Sequence, residues 1–286
     1  METKDRCAFK TGVTGHLLTE LSLMAYEITL RSPLRSQLKL WKKLYQAKYR
    51  REEGLFLAEG YKVVQGLLNS KWKTGAILVM KKKSSDWHAF LSTIPQGIDV
   101  YGLSEREWDA LSQDKEPEGV MAVAATPARS DISALLEHDS GHILLLYQIG
   151  NPNNLGAVVR AAHWFGIETI ILSTGSTDFT NPKVVRSAMG TLFQMRIIQD
   201  INFSETLPTI KERFFLVGSH IGKGIEPHAC KQRTALLLGS ESHGLPEAMM
   251  RLADELWHIP SAGRGDSLSL PQAAAIMMYA CAKQNA

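Results

Sequence analysis

The C-terminal half of the chain alternates short, continuous apolar runs with amphipathic stretches. Residues 143–147, 169–172, 197–198, 214–217, 235–238 and 256–259 read as strands, and helices fit near 154–165, 183–189, 204–211, 246–252 and 271–283. Strands that are apolar at every position, rather than at every second one, are buried on both faces. The pattern therefore predicts an α/β unit with a mainly parallel sheet and helices on both faces. The first half is less regular. A helical segment over 34–50 precedes a strand at 54–58, a helix near 60–69, an apolar run at 76–80, a helix over 104–112 and a last strand at 120–124. Pro95, Gly97 and Gly102 punctuate the stretch between. This mixture predicts a small α/β unit, and 127–140 reads as a connection with one short helix. The expected division is an N-terminal extension over 1–31, a small domain over 32–127, a linker over 128–140 and a second domain over 141–286. No internal repeat or low-complexity tract is found.

At 286 residues the chain has length for two domains, and 44% hydrophobic with 21% charged residues describes a folded globular protein. The net charge of +3 is small, but its distribution is not even. Arg35, Lys39, Lys42, Lys43, Lys48, Arg50 and Arg51 follow one another without an acidic residue, interleaved with Trp41, Tyr45 and Tyr49. Alone, this is a solvated helix face over a core of Leu38, Leu40 and Leu44. It is also the electrostatic footprint of a phosphate backbone. Cys7, Cys230 and Cys281 are far apart without CxxC spacing, which suggests a reducing compartment and no structural zinc. The nine histidines supply no ligand set, so no metal is expected. No apolar run is long enough to span a bilayer. Glu20 and Glu27 interrupt the apolar N-terminal stretch, which does not read as a signal peptide. The expected location is the cytoplasm, and residues 1–23 read as an extension or upstream start ahead of Met24.

Three segments carry candidate chemistry: Asn-Pro-Asn-Asn-Leu-Gly-Ala-Val-Val-Arg-Ala-Ala over 151–162, Leu-Gly-Ser-Glu-Ser-His-Gly-Leu over 238–245, and Ile-Pro-Ser-Ala-Gly-Arg-Gly-Asp-Ser-Leu-Ser-Leu over 259–270. Each joins an apolar run to a loop of small and polar residues, where α/β proteins keep their ligands. Taken singly they are bland: Asn154 reads as a helix cap, Arg160 as a surface arginine, and 238–245 as a strand-to-helix turn ahead of Pro246. Neither Ser240 nor Ser242 has the Gly-x-Ser-x-Gly frame of a hydrolase elbow. The turn from Gly150 to Gly156 lacks Gly-x-Gly-x-x-Gly spacing, so a dinucleotide-binding enzyme ranks last. In this order, the three segments resemble the SpoU (TrmH) family of RNA ribose 2′-O-methyltransferases. Residues 50–60 and 117–123 resemble, less specifically, the small ribosomal-protein-like substrate-binding domain that precedes many SpoU catalytic domains.

The resemblance implies S-adenosylmethionine as cofactor, a ribose 2′-hydroxyl of RNA as acceptor, a deep trefoil knot (the α/β-knot fold) in the C-terminal domain, and a homodimer formed through that domain. Ribosomal RNA is the favoured substrate. Transfer RNA, or a catalytically weak RNA-binding or ribosome-assembly factor on the same fold, is the alternative. The resemblance puts the catalytic arginine at Arg160, with Asn154, Glu241, Ser267 and Ser269 beside it. It assigns Ser219, Leu238, Gly239, Ser240, Gly244, Ile259, Pro260, Ser267 and Leu268 to the cofactor. Arg35, Lys39, Lys42, Lys43, Arg50, Arg51 and Arg186 are the candidate RNA contacts. The acceptor hydroxyl is a poor nucleophile, so the site must take or polarise its proton and align oxygen with the methyl. An arginine effectively never deprotonates; a fork holding phosphate and polarising the hydroxyl is preferred for Arg160, with a general base as the other reading. Two departures stand out: Ser269 occupies a position where the family usually has Asn, and Ala188 one where relatives tend to carry Ser.

Overall fold

The computed structural model describes residues 29–128, 131–133, 141–263 and 267–283. In the first half the expected helical segment is broken into α1 (Arg35–Lys43) and α2 (Ala47–Glu53). The turn between them drops Leu44, fully buried, into the core. Gly54, at φ +63°, ends α2 in the left-handed region that glycine enters without penalty. There follow β1 (Leu55–Glu59), α3 (Tyr61–Leu68), β2 (Thr74–Met80), a 3-10 turn running into α4 (His88–Leu91), β3 (Asp99–Leu103), α5 (Glu105–Asp109) and β4 (Val120–Ala125). The sheet order is β1-β4-β2-β3, with only β2 and β3 parallel. β3 is not among the expected strands, because Gly102 reads as punctuation. In the fold a Cβ at Gly102 would come within 3.0–3.3 Å of the Lys81 and Leu30 side chains, so the glycine makes room for packing inside the strand. Arg31, expected in the extension, instead bridges to Tyr101 along the edge of β3.

The second half contains all six expected strands and all five expected helices. They are β5 (Ile143–Leu146), α6 (Pro152–Trp164), β6 (Thr169–Ser173), α7 (Pro182–Ser187), β7 (Arg196–Ile201), α8 (Phe203–Lys211), β8 (Phe215–Ser219), β9 (Thr234–Leu238), α9 (Glu247–Leu252), β10 (Glu255–Trp257) and α10 (Leu270–Ala282). Every pairing in the sheet order β10-β8-β9-β5-β6-β7 is parallel. Because side chains alternate across a strand, the apolar runs divide between two cores. Ile143, Leu145, Ile171, Leu216, Ala235 and Leu237 face α8 and α9, while Leu144, Leu146, Ile170, Val217, Leu236 and Leu238 face α6, α7 and α10. Each fully buried Leu or Val of α6 (Leu155, Val158, Val159) contributes about 1.5–3 kcal/mol.

The two sheets are joined through a shared core. One face of the first sheet, including Phe56, Ile77, Val79 and Ala122, belongs to the same cluster as α6 and α7. Trp72 packs edge-on against Phe179 and Phe193, at ring separations of 6.1 and 5.3 Å. A Cβ at Gly66 of α3 would lie 2.8 Å from the Gly190 backbone, so the two halves touch backbone to backbone there.

Arg50 belongs to this junction and not, as expected, to an RNA-facing surface. It is 3% exposed. Its guanidinium donates to Asp178 at 2.7 and 3.0 Å, to Thr180 Oγ1 at 3.2 Å, and to the carbonyls of Leu44 and Tyr45 at 2.9 and 3.0 Å. A buried charge with all three of its nitrogens engaged is unavailable to a phosphate, and removing it strands its partner. Arg50→Ala should destabilise the protein by about 3 kcal/mol in urea denaturation; an unchanged midpoint with weakened RNA affinity would restore the surface role.

Candidate active site

The chain leaves β9 at Leu238 and turns at once. A Cβ at Gly239 would sit 2.2 Å from the Gly244 carbonyl carbon, so only glycine lets the loop close on itself. The closure is a bridge from the Gly244 N–H to the Ser240 carbonyl at 2.8 Å, with Gly244 at φ +64°. The exposed tip presents Glu241.

From the other side comes the start of α6. Asn151, not Asn154, caps this helix: its Oδ1 accepts the Asn153 N–H at 3.0 Å, and Pro152 takes the first helical position. The Asn154 side chain is thereby free, and its Nδ2 donates to Glu241 Oε1. The third segment delivers the start of α10, whose Leu270 N–H donates to the same Glu241 oxygen at 3.2 Å. That N–H is one of the donors a helix leaves unpaired in its first turn, and the positive end of the helix dipole favours a carboxylate there. Glu241 therefore ties all three sequence segments together. Gly156 serves the same assembly by packing: a Cβ on it would meet Ser187 Oγ at 1.8 Å and the Val184 carbonyl at 2.6 Å, so α6 and α7 cross in close contact.

The residues assigned to a cofactor gather at one edge. Ser219, Leu238 and Ile259 end or follow β8, β9 and β10, which lie side by side with β5, so they share the carboxyl side of a parallel sheet, where such folds bind ligands. The lining suits an adenosyl group. Leu268 is 46% exposed and Ile259 half-buried, which supplies apolar surface for a ring, and the half-buried Ser219 and Ser240 supply hydroxyls. Leu238 can serve only as a wall, since its side chain is buried and its carbonyl accepts the Tyr147 N–H at 2.9 Å. Pro260 and Ser267 are exposed on either side of the part of the loop outside the described residues. Ser269 sits at the N-cap position of α10, where Gln272 Oε1 accepts its hydroxyl at 3.0 Å and its N–H at 3.2 Å.

Arg160 is not part of this cluster. It lies six residues beyond Asn154, about 9 Å along the helix and about 120° around it, exposed and with no ion pair among the described residues. Of the basic residues, Arg35, Lys39, Lys42 and Arg51 are exposed, the first three in one stripe on α1. Lys43 is half-buried over the Tyr49 ring, 4.8 Å from its centroid. Arg186 is committed elsewhere, to an ion pair with Asp114. Partial burial pushes the Asp114 carboxyl up, but the Arg186 hydrogen bond and charge, with backbone donors, hold it below the usual range. A cleft of about 690 Å³ opens between the first two motif loops, lined among others by Gln148, Lys183, Glu241 and His243. Gln148, Lys183 and His243 are not sequence candidates. The rule that ligands sit beyond the carboxyl ends of parallel strands points to Gln148, directly after β5; nothing local points to Lys183. Among the described residues no group of His, Cys, Asp or Glu is placed to hold a metal ion, and no helix is long and apolar enough to cross a membrane.

Residues 141–279 match the model of the SpoU rRNA Methylase family, and residues 35–122 that of the MRM3-like substrate binding domain. Residues 141–279 belong to the SpoU family. A curated relative, the 23S rRNA (guanosine(2553)-2'-O)-methyltransferase RlmP of Bacillus subtilis (strain 168), is 29% identical over 253 residues, which are 87% of this chain and 97% of the relative. A solved TrmH-family RNA methyltransferase from Porphyromonas gingivalis superposes with a TM-score of 0.74 at 27% identity, covering 87% of this chain and 97% of its own. The AdoMet-bound rRNA methyltransferase from Sinorhizobium meliloti superposes with a TM-score of 0.72 at 26% identity, covering 88% and 96%. In this SpoU protein the close crossing at Gly156 holds Asn154 in place. Gly156→Ala should cost about 1–3 kcal/mol by overpacking, read as a lowered thermal midpoint; an unshifted midpoint would show that α7 yields freely.

Proposed function

We propose that this SpoU protein transfers the methyl group of S-adenosylmethionine to a ribose 2′-hydroxyl of ribosomal RNA. The observation that carries this reading is the Glu241 junction, which brings the first and third motifs onto the second at the carboxyl edge of the parallel sheet. The relative from Bacillus subtilis, named as a 23S rRNA methyltransferase, supports the substrate class. S-adenosylmethionine supplies an electrophilic sulfonium methyl. Leu238, Gly239, Ser240, Gly244, Ile259, Pro260, Ser267 and Leu268, with Ser219, form its cradle in this proposal, the loop backbone contacting the polar groups and Leu268 covering the ring. Glu241 fixes Asn154 and the start of α10, so the acceptor ribose meets a preorganised edge. Arg160, exposed and with no ion pair among the described residues, holds the phosphate beside the target nucleotide and polarises the 2′-hydroxyl, whose proton leaves to phosphate or water. Ser269, occupied as a helix cap, orients α10 rather than the substrate.

In the same reading, residues 32–127 form the domain that grips RNA through Arg35, Lys39, Lys42 and Arg51, residues 128–140 link it to the catalytic domain over 141–286, and the protein works in the cytoplasm. The C-terminal domain carries a trefoil knot. Its support is the path of the 220–233 segment, which leaves β8, pairs along the outer edge of β10 through Ile225, and returns to β9. The chain after β10 then crosses back into α10, whose Cys281 carbonyl accepts the Cys230 N–H of that same segment at 3.2 Å. The working unit is a homodimer through α6 and α10. These helices pack on one another, yet Trp164, Ile276 and Tyr279 remain 83%, 41% and 56% exposed.

Methyl transfer from labelled S-adenosylmethionine to unmodified ribosomal and transfer RNA fractions tests the reaction. Label should enter ribosomal RNA and fall at least about 100-fold with Arg160→Ala. Label confined to transfer RNA would replace the substrate, and cofactor binding without label in either fraction would make the protein an RNA-binding factor. Trp164→Glu should halve the mass seen by light scattering; a retained dimer would move the interface elsewhere.

A further inference from the structure

Cys230 and Cys281 are the two cysteines that the sequence separates and the fold brings together. Cys230 lies in the 220–233 segment, and Cys281 in the last turn of α10. The Cys230 N–H donates to the Cys281 carbonyl at 3.2 Å, which sets the two backbones side by side, and each thiol is the largest influence on the ionisation of the other. Both thiols are free, and their surroundings differ. Cys281 is 1% exposed. Cys230 lines an open pocket of about 360 Å³, together with His228, Lys231, Thr234, Glu255 and Trp257. His228 Nε2 pairs there with Glu255 at 2.9 Å. A small polar oxidant can therefore reach Cys230 but not Cys281.

The electrostatics divide the pair in the same sense. The hydrogen bond from Cys281, reinforced by Thr234 and by the charge of His228, holds the Cys230 thiol down at about 7 against the opposing effect of burial. The same contact with Cys230, together with burial, pushes the Cys281 thiol up. His228 is itself raised by its bond to the Ala229 carbonyl and by Glu255. The accessible cysteine is thus the more acidic of the two and the buried one the less, the sense of an attacking and a resolving thiol.

We propose that Cys230 and Cys281 form a redox modification site, at which Cys230 is oxidised by a peroxide and Cys281 resolves the product into an intrachain disulfide. In the first step the Cys230 thiolate attacks one peroxide oxygen; the S–O bond forms, the O–O bond breaks, and hydrogen peroxide is reduced to hydroxide while the sulfur becomes a sulfenic acid. In the second step the Cys281 sulfur attacks the Cys230 sulfur; the S–S bond forms, the S–O bond breaks, and the departing hydroxide takes the Cys281 proton to leave as water. A thiol reductant reverses the sequence by exchange. The bond ties the end of α10 to the segment that runs along β10, and the start of the same helix supplies the Leu270 N–H that holds Glu241. The modification therefore anchors, from its far end, the helix that completes the catalytic edge.

The test uses the reduced full chain, freed of reductant and exposed to hydrogen peroxide. Of its three thiols, two should disappear, and non-reducing peptide mass spectrometry should find one Cys230–Cys281 link that dithiothreitol removes. The Cys281→Ser protein should stop at a Cys230 sulfenic acid that dimedone traps. The wild-type measurement needs no variant, so a folding defect in Cys281→Ser leaves the result intact. Persistence of both thiols at peroxide levels that oxidise Cys7, or over-oxidation of Cys230 with Cys281 still a thiol, overturns the proposal. So does a link that forms only between chains or only after denaturation.

Discussion

Glu241 Oε1 accepts from Asn154 Nδ2 at one helix start and from the Leu270 N–H at another, and the geometry of the candidate catalytic edge depends on that shared acceptor. Neither donor has another partner close by in sequence. Asn154 is released because Asn151 caps α6, and Leu270 is the opening residue of a helix whose first N–H groups are unpaired by construction. The loop bearing the acceptor stays tight because a side chain on Gly239 would strike the Gly244 backbone and because Gly244 turns through φ +64°. Three glycine-dependent or cap-dependent features, each ordinary alone, thus converge on one carboxylate.

A second constraint reaches across the molecule. The parallel sheet contributes one face to a core that it shares with the N-terminal sheet. The aromatic contacts of Trp72 with Phe179 and Phe193 fill the junction, and the buried Arg50–Asp178 pair ties α2 to the loop before α7. That ion pair gives little net stability compared with apolar packing of the same volume, but it admits a single registry, because any other leaves charge buried without a partner.

The catalytic half was largely legible from sequence, because parallel strands buried on both faces leave unbroken apolar runs and the polar loops after them stand out. The N-terminal sheet was less so: β3 contains Gly102, whose purpose is set by Lys81 and Leu30 and not by its neighbours in the chain. Arg50 and Arg51 are adjacent and identical, yet one is buried and the other exposed; the difference is Asp178, 128 residues away, which no local pattern reports. The helix cap fell on Asn151 rather than Asn154 for a reason the sequence does contain, since Pro152 fixes the first helical residue. Arg160 was placed by family resemblance and not by geometry, and it lies around the helix from the residue it was expected to accompany.

The backbone contact between Gly66 and Gly190 has a metrical meaning. With no side chain interposed at that point, α3 and the turn at Gly190 cannot be shifted against each other by a change of rotamer, and in the proposed reading this holds the basic stripe on α1 at a set distance from the candidate catalytic edge. A polymer gripped at that stripe can offer only the unit that falls at that span. In that reading choice of target would become a matter of length along a folded strand as much as of base identity, and the protein would work as a calliper whose opening two missing side chains help to set.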